Sequence, residues 1–351
     1  MKKIYTLLVL TVFAALAASC SGDEEKSNPV PHADGNVQFD LTAGGPVYTA
    51  DEFRILAFRK SGSDFIYFRD LPLMGMNYAE RKLSGTVQLP AGEYKFLPSY
   101  GLVAPGNYSW PALADQTLSD ALYITHTGES FPAAFMLNQP LDVVPSYAVS
   151  LDGPKQTVSA TLRRSVSRVD VLFIRADKEA ATGNYAEKAG DDVFGPEKLA
   201  TVKLSFTAAN SRLGLSGEKV AGTFDAEHTI ASPADVLTMG TGSSTTVGTD
   251  GYDFENVLPA DIVAGSAHLK GTYLIPNADN AATTGFSMQL TSGEGSTRTI
   301  TLTDKIPVER NKATLIRIYV LGDNVFTTGV EFEVEVDTVW DGSNFVDGEI
   351  D

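Results

Sequence analysis

Cys20 has the most distinctive chemistry in this sequence, as the only cysteine among 351 residues. A thiol with no second cysteine closes no intramolecular disulfide, and with no histidine beside it in sequence it has neither a metal partner nor an activating base. Its role must therefore come from its neighbours. Other candidates are sparse. His32, His126, His228 and His268 are scattered, with no HExxH, His-x-His or Cys–His spacing, so a zinc site has no support. There is no G-x-S-x-G elbow, no G-x-x-x-x-G-K-[ST] loop and no G-x-G-x-x-G between strand and helix, and the glycine-rich tract at 240–251 lacks the lysine a phosphate loop needs. With 44 Asp and Glu residues, chance proximity prevents any carboxylate pair from marking a glycosidase. The terminal DGSNFVDGEID offers acidic oxygens without EF-hand spacing. Trp110 and Trp340, with 13 tyrosines, could line a sugar platform, but aromatics in this number ordinarily serve a β-core and its rim. No catalytic residue, metal ligand or cofactor is assigned, and the chain is expected not to be an enzyme.

The neighbours of Cys20 give it a role. Lys2 and Lys3 precede the apolar run IYTLLVLTVFAALAA, which is too short and too close to the start for an ordinary spanning helix, so residues 1–19 read as a signal peptide. With Ala17-Ala18-Ser19 before the cysteine, the stretch resembles a bacterial lipobox, where the signal is cut away and the thiol acylated; Leu16 stands one place further upstream than in the strictest form. A secretory signal with an incidental cysteine is the plainer alternative. An acyl chain gains about 0.8 kcal/mol per buried methylene, so a multiply acylated Cys20 would hold the protein on a membrane without a spanning helix. The following SGDEE resembles the acidic export signal of Bacteroidota surface lipoproteins, which places the protein outside the outer membrane; the alternative is a solvated, repelling linker.

A fold must stand behind this anchor. Residues 20–35, with two prolines and many polar side chains, read as a flexible tether. Removing residues 1–19 leaves about 330 residues, a length for two domains, and 43% hydrophobic residues with 31 Gly and 17 Pro point to a folded, turn-rich β protein. The net charge is −17, and −19 once Lys2 and Lys3 leave with the signal, so phosphate backbones are repelled and a nucleic-acid partner is excluded.

Period-two patterns run along the chain. NVQFDLT sets Val37, Phe39 and Leu41 on one face; FRILAFRK and FIYFRDL, joined by SGSD, read as a hairpin; TVQLPAGEYKFLPSYG reads as a second hairpin turning at PAGE. Residues 102–156 resist division. In QTVSATLRRSVSRVDVLF the apolar phase shifts by one, which reads as a β-bulge near Arg163-Arg164-Ser165 in a continuous strand rather than as a protease site or a phosphate clamp. HLKGTYLIP, GFSMQLTS, STRTITLTD and KATLIRIYVLG follow as strands. At the end Val330, Phe332, Val334 and Val336 alternate with Glu331, Glu333, Glu335 and Asp337, a strand with one solvated acidic face. Strand following strand without helices predicts an all-β chain of antiparallel β-sandwiches, divided as 36–156 and 157–351.

These pieces together resemble the fimbrillin family, the type V pilins and pilus-accessory lipoproteins of Bacteroidota. The resemblance rests on the acidic-tailed lipobox, LPAGEYKF at 89–96, LRRSVSRVDVLF at 162–173, YLIPN at 273–277, and RNKATLIRIYVLG at 310–322 followed by a valine-rich strand ending in VW. It implies two tandem transthyretin-like sandwiches, and assembly with other fimbrial subunits by strand addition after a protease cuts behind the first strand. An added strand gains main-chain hydrogen bonds along an open edge while alternate side chains fill pockets. Here AGGPVYTADEF, after the first strand, holds no Arg or Lys, and the first basic residue, Arg54, falls inside the next strand. The implied role is therefore an uncleaved anchor or accessory subunit that supports adhesion to a host or bacterial surface ligand. Val330, Phe332, Val334 and Val336 mark the candidate donor strand, with an ordinary last strand as the equal alternative. A surface glycan-binding lipoprotein is the competing reading.

Overall fold

A computed structural model describes residues 34–43, 53–72, 77–79, 82–101, 108–126, 136–137, 143–217, 219–235, 237–239, 263–277, 283–302, 306–327 and 332–338. The first strands are β1 (Asp34–Ala43), β2 (Phe53–Ser61), β3 (Asp64–Asp70), β4 (Asn77–Ala79), β5 (Lys82–Pro90), β6 (Gly92–Tyr100), β7 (Tyr108–Ser109) and β8 (Tyr123–His126). They are followed by β9 (Met136–Leu137), β10 (Tyr147–Val149), β11 (Gln156–Arg164), β12 (Ser167–Lys178), β13 (Tyr185–Glu187), β14 (Leu199–Gly214) and β15 (Val220–Ile230). The remaining strands are β16 (Leu237–Met239), β17 (Ala267–Leu274), β18 (Thr283–Ser292), β19 (Thr297–Thr301), β20 (Ile306–Pro307), β21 (Ala313–Val320) and β22 (Phe332–Thr338). The expected all-β class holds, with a 3-10 turn at Pro233–Asp235 between β15 and β16.

Three sheets carry the described strands. The first runs β3-β2-β6-β9-β11-β1-β5-β4, with β10 on β6. It folds over itself, so that Val37, Phe39 and Leu41 of β1 meet Ile55, Tyr94 and Phe96 of β2 and β6 in one core. The second sheet runs β16-β17-β12-β21-β22 and the third β19-β18-β14-β8-β7. These two enclose a second core in which Val169, Val171 and Phe173 face Val202, Leu204 and Phe206. A third cluster joins the outer face of β2 and β6, through Leu56, Phe58 and Leu97, to Ile124, Leu213 and Ile275. Most pairings are antiparallel as expected, but β1 lies parallel to β11 and β12 parallel to β21.

The β2/β3 hairpin forms as its sequence predicts, with Gly62 at φ 63° taking the left-handed turn position that a side chain would resist. The second expected hairpin does not form. β5 pairs with β1 and β4, whereas β6 pairs with β2, β9 and β10, so PAG at 90–92 is a corner between facing layers of the first sheet. Side chains take the hydrogen-bonding roles that a partner strand would fill: the Tyr94 hydroxyl donates to Pro90 O at 2.9 Å and Arg59 Nη2 to Ala91 O at 2.7 Å. Nor is there a bulge at 163–165. β11 ends at Arg164 in the first sheet and β12 begins at Ser167 in the second, so the phase shift marks a change of sheet. The irregularity that β12 does carry falls between Val169 and Val171 in its pairing with β17.

Candidate functional site

The features bearing on strand addition lie at the two ends of the fold. β1 is held on both sides, parallel to β11 from Val37↔Gln156 to Ala43↔Leu162 and antiparallel to β5. Val37 and Phe39 are fully buried, and the Phe39 ring stands edge-on to Phe96 at 5.1 Å. The basic residues that come next in the chain are fixed within β2. Arg54 Nε donates to Asp70 Oδ2 at 2.8 Å and its guanidinium lies 4.1 Å above the Trp110 ring, while Arg59 holds the 90–92 corner. Trp110 is half-buried against the third cluster and stacked by Arg54, a structural setting rather than an open sugar platform.

At the other end β22 pairs antiparallel with β21, with Phe332 opposite Val320, Val334 opposite Ile318 and Val336 opposite Ile316. It forms the margin of the second sheet. Val330 lies outside the described residues, as do Cys20, His32, Trp340 and the tract at 240–251. The two halves share a motif, since β1 and β12 each stand between one parallel and one antiparallel neighbour. On the far side of β21 lies β22; on the far side of β11, residues 156–162 have no strand partner among the described residues.

Buried charge is concentrated on β12. Arg168 Nε and Nη2 donate to the two oxygens of Asp170 at 2.7 and 2.6 Å, and His268 Nε2 lies 2.9 Å from Asp170 Oδ2. All three residues are at most 2% exposed. Burial pushes the Asp170 carboxyl up, but the Arg168 guanidinium and the His268 ring outweigh it and hold the group well below the usual carboxylate range. Burial also lowers the pKa of His228 on β15. Among the described residues no three His, Cys, Asp or Glu side chains gather as a metal site, and no helix is long and apolar enough to cross a membrane.

One cavity of about 1000 Å3 opens over the outer face of the β5-β1-β11 layer. Strand register places Ser84, Asp40 and Ser159 in one row across its floor and Lys82, Thr42 and Thr161 in the next. Arg163 follows along β11, with Arg164 and Arg310 also lining the space. The sequence marked Arg163 and Arg164 as a pair, but Lys82 and Arg310 joined them only through the fold.

Layers that pack face to face around apolar cores, closed by long strand ladders, define a β-sandwich protein. The chain belongs to a family of unknown function, DUF6562, whose model matches residues 58–349. No curated protein matches it. Among solved structures the chain is similar to a candidate adhesin of Bacteroides thetaiotaomicron, at 10% identity and a TM-score of 0.49, covering 89% of this chain and 99% of that one. It is similar also to the fimbrial anchor protein Mfa2 of Porphyromonas gingivalis, at 12% identity and a TM-score of 0.42 over 87% and 99% of the two chains. A third is a fimbrial assembly protein of Parabacteroides distasonis, at 11% identity and a TM-score of 0.39 over 87% and 98%.

Proposed function

We propose that this protein is a non-catalytic fimbrial subunit, an anchor or accessory component held at the outer surface of the outer membrane by acylated Cys20. Its bodies are the two sandwiches expected over 36–156 and 157–351, with β11 completing the first. It joins other fimbrial subunits by backbone strand addition, and the segment from Val330 through Phe332, Val334 and Val336 is the donor strand. The observation that carries the reading is the attachment of β22, which borders its sheet by a ladder from Thr314↔Thr338 to Val320↔Phe332 with no strand beyond it among the described residues. A strand held along one edge can exchange its partner for an equivalent edge on another subunit at little net cost in hydrogen bonds. The retained first strand supports an uncleaved subunit, because β1 is paired on both sides and Arg54 and Arg59 sit inside a paired strand, where a trypsin-like enzyme finds no unpaired backbone to bind.

Two changes made in the native host test this. Cys20→Ser releases the protein from the membrane fraction of intact cells, and deletion of residues 329–351 leaves an exported monomer that no longer co-purifies with fimbriae. Membrane retention of the first variant removes the anchor; normal assembly of the second removes the donor strand.

A further inference from the structure

Two basic stretches of the sequence, LRRS at 162–165 and RNK at 310–312, are brought together by the fold. Asn311, at φ 54°, donates its backbone N–H to Val166 O at 3.0 Å, and Lys312 O accepts from the Arg168 N–H and from Ser167 Oγ, each at 3.0 Å. This docks the 310–312 turn onto the β11–β12 junction, and Arg310 lines the cavity over the β5-β1-β11 layer together with Arg163 and Arg164.

In a chain of net charge −17, four cationic side chains, Lys82, Arg163, Arg164 and Arg310, line this one space, with Asp40 the one carboxylate among the described residues that line it. General solubility does not call for such a reversal of sign. The volume of about 1000 Å3 is that of a small-ligand site. Arg164 is only 1% exposed, so its charge acts where solvent screens it weakly. Guanidinium forks recognise carboxylate, sulfate and phosphate oxygens in pairs, and the hydroxyls of Thr42, Ser84, Ser159 and Thr161 both donate and accept, as the hydroxyls of a sugar ring do. An acidic peptide is the weaker fit. Extended peptides bind through backbone groups on a sheet edge, whereas the middle of this floor is the face of β1, whose main-chain groups are engaged on one side with β5 and on the other with β11.

We infer that this cavity binds an anionic saccharide, with the ring hydroxyls over the Ser/Thr rows of β5, β1 and β11 and the acidic group against Arg163 and Arg310. The site does not depend on assembly into fimbriae, and binding to the isolated protein is read separately from it.

Calorimetric titration of the detergent-solubilised full chain with trigalacturonate, a sulfated disaccharide, a sugar phosphate, neutral maltotriose, inorganic phosphate and a peptide of residues 339–351 tests the inference. At least one acidic sugar binds and maltotriose does not; which one binds identifies the acidic group. Binding weakens by about tenfold or more in Arg163→Gln and in Lys82→Gln, two exposed positions where the change leaves thermal unfolding unaltered. It weakens also as NaCl rises from about 0.05 to about 0.5 M. Binding of no acidic sugar, equal binding of maltotriose, unchanged affinity in both variants, or binding of phosphate or the peptide without any acidic sugar overturns the assignment.

Discussion

Asp170 shows how one residue can be costly to place and costly to remove. A carboxylate 1% exposed is tolerable because Arg168 grips both of its oxygens and His268 stands against one of them. Asp170→Asn leaves the Arg168 guanidinium buried beside a neutral amide, and urea unfolding should show a loss of about 3–5 kcal/mol. The double variant Arg168→Met/Asp170→Leu removes both charges and should recover most of that loss, since apolar packing replaces a buried ion pair at little cost. The pH dependence has a definite sign. The folded carboxyl titrates below its unfolded counterpart, so its contribution is present above the ordinary carboxylate range and fades as pH falls into that range and beneath it. The gap between the native protein and Asp170→Asn should therefore shrink as pH falls below about 4. A gap that widened on acidification would contradict the pairing.

At the scale of elements, the 90–92 corner decides how the first sheet closes. It turns the chain from one layer to the facing one with Tyr94 and Arg59 holding its carbonyls, and a Cβ on Gly92 would come 2.8 Å from Arg59 Nε. Tyr94→Phe keeps the buried ring, removes the hydroxyl donor and should cost about 1 kcal/mol, seen as a lower urea midpoint at unchanged slope. An unshifted midpoint would mean that the corner does not rely on this bond. This is also the element that sequence reading misplaced. Val87, Leu89, Tyr94 and Phe96 alternate identically whether β5 and β6 pair with each other or face each other across a core, because period two reports which face is buried and not which strand is the neighbour. The phase shift at 163–165 was legible as a discontinuity, but a bulge and a change of sheet leave the same trace in one strand's pattern. The β2/β3 hairpin was fully readable because its partners are adjacent in sequence and its turn carries Gly62. The cavity was readable only in fragments. Its arginines are conspicuous, yet Arg310 reaches Arg163 only through the parallel pairing of β21 with β12, a long-range choice that no local signal encodes.

For the molecule as a whole, the question is whether the two apolar cores behave as one. The first core fills the folded sheet of β1, β2, β5, β6 and β11, and the second lies between the β12 and β14 layers. The third cluster joins them: Leu56 and Phe58 turn outward from β2, away from Ile55 and Ala57 in the first core, to meet Leu213 of β14 and Ile124 of β8. β8, from the N-terminal half of the chain, pairs with β14 at Leu213↔Ile124, so backbone hydrogen bonds cross the same junction. A strand shared in this way cannot keep its packing when either core melts, and the coupling predicts a single calorimetric transition whose van't Hoff and calorimetric enthalpies agree. Leu213→Ala, at a fully buried position, should lower that transition as a unit by about 2–5 kcal/mol. Two resolved transitions in the native protein, or a Leu213→Ala variant in which one half melts early while the other is untouched, would show that the junction is only a contact and that each core stands alone.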